Sequence, residues 1–459
     1  MRTNAGDSHY IAISCSDEGE ERLLTVYKDG EVFTALRYRK GGKEETYILP
    51  VPEGSEAEAE DSLTLLKERP ERKKPPFAFH YAPEKGWIND PNGLILHSGL
   101  YHLYYQHNPL SKEWGNMSWG HAVSKDLVSW EEQDPVFLPE DKDHVIYSGS
   151  AYEENGKLAV YYTLWDTNDD SANVVLRKES ADGFAFSGRS ELLPHAGEAA
   201  RDPKVFEWKG SRYIVIYLDG HDYGLYKEED GEWKLSDRFS AAPGWECPNV
   251  LSFSDRLYFF TAEGYCWEAE IEDGRMKLKG ERRNLFLTSL PYASQVFANT
   301  PGRQILIPWL RAKTPSLPST GCLGIPREVV EKDGTLALVP VMEVLESLRL
   351  RPFVRSNEVR TEEGTCFIFF QDAGSFSGKV NGNRIEYDRR TLRVNEEEVP
   401  LSSSELVLMA DGLVLEASAE GYTENAFFEL NEGKGTVLSS PEPMTGAIGV
   451  LRSARQSIK

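Results

Sequence analysis

Short strand-like runs recur through the middle of this chain, and long helical periodicity is nearly absent. Residues 100–107, 158–165, 212–219, 256–262 and 303–310 are rich in aromatic and β-branched residues, and Gly, Asp and Asn punctuate them. A chain that offers many strands of about eight residues and almost no helix must close or stack its sheets. Over some 270 residues that means a sandwich, a barrel or a propeller. The best helix candidate is short, residues 341–350.

Composition divides the chain further. Residues 1–51 read as a β segment, with strands at 10–14, 23–27, 31–39 and 46–51 and a turn signal at Lys28-Asp29-Gly30. In residues 52–76 Glu and Ala alternate, 62–67 has room for a turn or two of helix, and a charged stretch ends in prolines. This segment reads as a linker. Residues 77–350 form the aromatic-rich body. Residues 351–459 are strand-like again, with a hairpin signal at Met409-Ala410-Asp411-Gly412-Leu413, and suggest a small β-sandwich.

Acidic residues outnumber basic ones 74 to 51, a net charge of −23. That balance speaks against nucleic acid and against an anionic membrane surface as partners. No apolar run reaches the roughly 20 residues of a membrane-spanning helix, and residues 1–8 lack the apolar stretch of a signal peptide. The five cysteines are scattered and lack CxxC spacing, which fits neither a disulfide framework nor a zinc site. The expected setting is a reducing cytoplasm.

No nucleotide-binding loop, HExxH pair or GxSxG elbow is present. What remains are carboxylates set beside aromatics and prolines. Trp87-Ile88-Asn89-Asp90-Pro91-Asn92-Gly93 can be an ordinary turn. In Arg201-Asp202-Pro203 the arginine can hold the carboxylate ionised. Glu246 lies between Trp245 and Cys247, an apolar setting expected to raise its pKa and suit it as an acid. The set says more than its members. Asp90, Ser148, Asp202, Glu246 and Tyr292 are separated by 58, 54, 44 and 46 residues. Five blades in residues 77–350 would take about 55 residues each, so each blade would bring one such residue to a central funnel. Three carboxylates converging there beside tryptophans suit glycoside cleavage.

These motifs resemble those of glycoside hydrolase family 32, the invertases, exo-inulinases and levanases. Trp87-Ile88-Asn89-Asp90-Pro91-Asn92-Gly93, Tyr104-Tyr105-Gln106, Trp114-Gly115-Asn116-Met117-Ser118-Trp119, Tyr147-Ser148-Gly149-Ser150, Arg201-Asp202-Pro203 and Glu246-Cys247-Pro248 follow in family order. The resemblance implies a five-bladed β-propeller followed by a β-sandwich, acting on β-fructofuranosides by a retaining double displacement. It implies Asp90 as nucleophile, Glu246 as acid/base and Asp202 as transition-state stabiliser. Asn89, Gln106, Trp114, Tyr147, Ser148, Arg201 and Trp309 would line the fructose pocket, and Cys247 would tune Glu246. No metal and no organic cofactor is implied. The partner is a small carbohydrate, with a second copy of the chain left open. Asn116 and Ser118, where phosphosucrose hydrolases more often carry Pro and His, favour unphosphorylated sucrose, fructo-oligosaccharides, inulin or levan. The alternatives are a fructosyltransferase or difructose-anhydride-active enzyme on the same scaffold, and a non-catalytic fructan-binding propeller.

The chain departs from that pattern in places. Asn249 stands where Glu-Cys-Pro is usually followed by Asp. Residues 281–291 lack an Asp-x-Gly motif, and residues 312–324 lack a Trp-Arg-Gly. Residues 1–76 are additional, and the C-terminal part is short. One expectation joins the last two facts: the N-terminal strands complete the C-terminal sandwich.

Overall fold

The computed structural model describes residues 2–193, 196–332 and 334–452. Five sheets follow one another along the body, three of four antiparallel strands and the first and last of five, the first with the short strand Ser319–Thr320 added in parallel. Their innermost strands are Gly86–His97, His144–Glu154, Arg201–Trp208, Asn249–Ser252 and Pro291–Val296. Each contacts the next, and the fifth returns to the first, which closes a five-bladed β-propeller. Burial follows the radius. Pro291–Val296 is buried throughout, whereas the outer strand Arg275–Asn284 is mostly exposed. Between blades, clusters such as Ile95, Trp119, Phe137, Val160 and Tyr162 supply the apolar packing.

After the short helix Met342–Glu346, the strands Leu348–Thr361 and Thr436–Leu451 pair along most of their length and carry the C-terminal β-sandwich. Its core is Ile368, Phe376, Ile385, Leu392, Leu408, Leu415 and Phe428. A buried polar network joins sandwich to propeller. Asp411 accepts the backbone N–H groups of Ala78, Phe79 and His80 at 2.8–3.0 Å. The His80 ring lies 2.9 Å from both Asp411 and Glu416, and Glu416 also pairs with Arg327. These carboxylates push His80 up to about 9 against the opposing effect of burial.

The N-terminal strands do not complete the sandwich. They form two small sheets of their own around Ile11, Ile13, Leu24, Val26, Leu36 and Leu49. Nor is 52–76 wholly a linker with a helical turn. Glu56–Glu58 joins one of these sheets and Thr64–Leu66 the other. The Glu–Ala alternation is a period-two strand pattern, with Ala57 and Ala59 in the core. Both short strands cover sheet edges within the module, and none of its strands pairs with the sandwich among the described residues. The core admits one fully buried propeller residue, Leu110.

Candidate active site

Four of the five innermost strands carry one extra residue at the same level. Pairing slips by one between Ile88 and Pro91, Ile146 and Gly149, Arg201 and Lys204, and Tyr292 and Gln295. The sequence dictates part of this. Pro91 and Pro203 have no N–H for the ladder, so a regular strand cannot pass through them. A bulge re-aims the side chains beside it. Asp202 and Ala293 lie at positive φ, 61° and 45°, and Cys247, ahead of Pro248, at 52°. Such backbone costs of order 1–3 kcal/mol per residue and persists where the surroundings demand it. Gly149 is required for space: a Cβ there would meet the Tyr161 carbonyl oxygen at 1.9 Å.

The bulges carry Asp90, Ser148 and Asp202 and adjoin Tyr292, and Glu246 comes from the bend just ahead of Asn249–Ser252. Asp90, Asp202 and Glu246 line a single pocket of about 370 Å³ together with Asn89, Gln106, Trp114, Tyr147, Ser148, Arg201 and Trp309. Trp87, Met117, Trp165 and Tyr292 line it as well. Aromatic edges ring the wall, with Tyr147–Trp165 centroids at 5.1 Å and Trp87–Trp309 at 6.0 Å. Trp245 lies outside this lining and is exposed. Met117, though part of the motif at residues 114–119, and Trp165 were not picked out in the sequence as pocket residues. The Trp-Asp that ends residues 158–166 was the available signal for Trp165.

The three carboxyls stand in different environments. Ser148 Oγ donates to Asp90 at 2.7 Å. Burial and the neighbouring Glu246 charge push Asp90 up to about 6, against the hydrogen bonds it accepts. Asp202 accepts the Cys247 backbone N–H at 3.1 Å. Burial pushes its carboxyl up as well, opposed by Arg201 and reinforced by the other two acids. Glu246 is in an ion pair rather than the expected apolar setting. Arg201 Nε and Nη2 donate to its Oε2 at 3.1 and 2.7 Å, and the Tyr292 hydroxyl donates to Oε1 at 3.1 Å. The Arg201 guanidinium lies over the Tyr217 ring at 4.6 Å, which aims it at Glu246. Its nearest approach to Asp202 is 3.8 Å. The thiol of Cys247 bridges the other two acids, 3.5 Å from Asp90 and 3.4 Å from Asp202, rather than Glu246. Burial raises its pKa well above the ordinary thiol value, so it stays a neutral donor.

Below the acids lies a cavity of about 10 Å³, bounded by Asp90, Asp202, Lys204, Cys247, Asn249 and Gln295. That is room for about one water. The Lys204 ammonium is buried there and donates to the Val296 carbonyl at 2.8 Å. Burial lowers its pKa to about 7. Asn249 turns its Oδ1 to the Val296 N–H, so it braces the adjoining inner strand. Among the described residues no group of three or more His, Cys, Asp or Glu side chains is arranged to hold a metal ion.

Residues 80–340 match the family model described as the glycosyl hydrolases family 32 N-terminal domain. The chain is similar to a sucrose-6-phosphate hydrolase of Escherichia coli, 34% identical over 359 residues that span 68% of this chain and 75% of that one. It is 35% identical to the raffinose invertase of Escherichia coli over 59% of this chain and 65% of that one. Its fold matches the structure of sucrose-6-phosphate hydrolase from Lactobacillus gasseri with a TM-score of 0.72 at 20% identity, covering 82% of this chain and 93% of that one.

Proposed function

Since the chain belongs to glycosyl hydrolase family 32, we propose that it releases terminal fructose from β-fructofuranosides by a retaining double displacement. The observation that carries this reading is the convergence of Asp90, Asp202 and Glu246, from three different blades, on one aromatic-walled pocket. Asp90 is the nucleophile. Its pKa of about 6 leaves it mostly ionised at neutral pH, and Ser148 holds the attacking oxygen. Its oxygen bonds to C2 of the fructosyl unit as the C2–O glycosidic bond breaks, and Glu246, in its protonated carboxylic-acid form, gives that proton to the leaving oxygen. Water then attacks C2, returns a proton to Glu246 and frees Asp90. Asp202, braced by Cys247, accepts from fructose hydroxyls. Gln106 and Trp309 line the pocket, and their buried Oε1 and Nε1 have no hydrogen-bond partner among the described residues.

Unphosphorylated sucrose and short fructo-oligosaccharides are the favoured substrates. Among the described residues that line the pocket, Arg201 is the one cation, and it is committed to Glu246. The relatives include a sucrose-6-phosphate hydrolase and a raffinose invertase, so the substrate panel carries the decision. The five cysteines are free and buried, which supports a reducing cytoplasm as the site of action. The test is sugar release from sucrose, sucrose 6-phosphate, 1-kestose, inulin and levan, beside Asp90→Asn and Glu246→Gln. Fructose release by the parent that drops at least ~100-fold in each variant supports the assignment. Undiminished release by either variant removes that residue from its role.

A further inference from the structure

The chemistry above does not use the N-terminal module, yet the module grips the loops that build one wall of the pocket. Its strand Glu31–Gly41 is a sheet edge. At Arg37 that edge is occupied by a single side chain. Asn116 Oδ1 accepts the Arg37 N–H at 2.8 Å, and Asn116 Nδ2 donates to the Arg37 carbonyl at 2.8 Å. The amide thus makes the pair of bonds that a neighbouring strand would make. The same Nδ2 donates to Asn108 at 3.0 Å. At the other end of the loop, Asp17 accepts from Ser111 Oγ and from the Lys112 N–H, each at 2.8 Å. Between Asn108 and Asp17's contacts, Leu110 is sunk in the module's core.

A second loop is held from the same strand. The Pro139 carbonyl accepts from Thr34 Oγ1 at 2.7 Å and from the Ala35 N–H at 3.3 Å. This loop leads into the inner strand that carries Tyr147 and Ser148. What the first loop presents is Trp114, which is 57% exposed at the pocket mouth and faces Tyr147 with ring centroids 6.4 Å apart. The acids lie deeper, so a terminal fructose that reaches Asp90 leaves its aglycone beside the mouth. An exposed tryptophan on an untethered loop would sample many positions; here both flanks of its loop are anchored.

We propose that the N-terminal module is a specificity element: through Asp17 and Asn116 it positions the Trp114 loop as a wall for the leaving-group sugar. The module then sets the preference between sucrose and longer fructo-oligosaccharides. Asp17 and Asn116 are positioning residues, and the proposal rests on the fructoside reading of the pocket.

The experiment compares sucrose and 1-kestose kinetics for the parent, Asp17→Ala, Asn116→Ala, Trp114→Phe and Asp17→Ala/Trp114→Phe. The expected result is a change of about fivefold in the ratio of kcat/KM between the two substrates for Asp17→Ala. It should be carried by KM, with kcat within about twofold of the parent. The double variant should resemble Trp114→Phe alone, because residues acting through one another are not additive. Parent-like selectivity in Asp17→Ala, or effects that simply add, would overturn the proposal. Asp17 lies in the module and outside the pocket, so it serves where Asn116→Ala disturbs the loop itself. If the parent releases no fructose at all, the fructoside reading fails separately. Acrylamide quenching of Trp114, taken as the difference between Trp114 and Trp114→Phe backgrounds, then decides whether Asp17 holds the loop. Unchanged quenching in Asp17→Ala refutes it.

Discussion

Replacing Asp90 by Asn should stabilise the protein while abolishing its activity. In the folded chain Asp90 rises from the ordinary 3.8 to about 6, chiefly through burial and then through the charge of Glu246. The folded state therefore holds this proton more tightly than the unfolded chain. Between roughly pH 4 and 6 the unfolded chain has released it while the folded protein keeps it, so stability falls as pH rises through that window. Above pH 6 the whole cost is present, ~3 kcal/mol at ~1.4 kcal/mol per pH unit. Solvent at the open pocket mouth screens part of it, and roughly 2 kcal/mol is the expected gain for Asp90→Asn at pH 7.5. Asn keeps an oxygen that can accept from Ser148, so little is lost in return. Urea unfolding of parent and variant at pH 7.5 and at pH 4 measures the effect. The variant's midpoint should rise by ~0.5 M or more at pH 7.5, and the difference should vanish near pH 4. Fructose release should fall by at least ~100-fold. A variant equal to or weaker than the parent at pH 7.5, or a gain that persists at pH 4, would refute the reasoning.

Other expectations follow from the same contacts. Activity should show an acid limb near pH 6 as Asp90 takes up its proton. Ser148→Ala removes a bond that favours the charged form, so a pH–rate profile should show that limb moved upward. Arg201→Lys loses the planar fork on Glu246, and steady-state kinetics should record a fall in kcat of roughly 10²-fold with the fold intact by circular dichroism. His80 has its pKa raised to about 9 by Asp411 and Glu416. The stability it adds is fully present below about pH 6.5 and is lost as pH rises through 9. His80→Gln should therefore cost about 3 kcal/mol at pH 6 in denaturant titrations, with the deficit to the parent shrinking above pH 9.

Much of the propeller and its three acids was legible from local pattern. A strand shows itself within about eight residues as apolar alternation between turn signals, and five such groups lie between residues 86 and 340. The Asp-Pro of residues 90–91 and of residues 202–203 announces the bulges, because a proline cannot join the ladder. The module at the N-terminus was half legible. Its first strands were visible at 10–14, 23–27, 31–39 and 46–51, inside or close to the observed Tyr10–Cys15, Gly19–Lys28, Glu31–Gly41 and Glu45–Pro50, but the Glu–Ala alternation at 56–59 passed for a linker. A strand of three residues carries too short a period to declare itself; only the two open edges it fills make it a strand.

By itself, then, the sequence determined the strand content of the body, since each strand depends on neighbours a few positions away, and the spacing of its motifs suggested the recurrence of blades. The tertiary structure alone decided how the charges of the pocket are shared. Arg201 stands next to Asp202 in the chain but turns to Glu246, 45 residues on, because the bulge and the Tyr217 ring direct its guanidinium. Cys247, next to Glu246 in the chain, instead addresses Asp90 and Asp202. It also decided that the N-terminal strands close on themselves and take hold of the Trp114 loop through Asn116, 79 residues from Arg37. Side-chain partners of this kind are fixed by the closing of the blade ring, which brings distant segments within about 3 Å of each other, and no pattern of neighbouring residues encodes that choice.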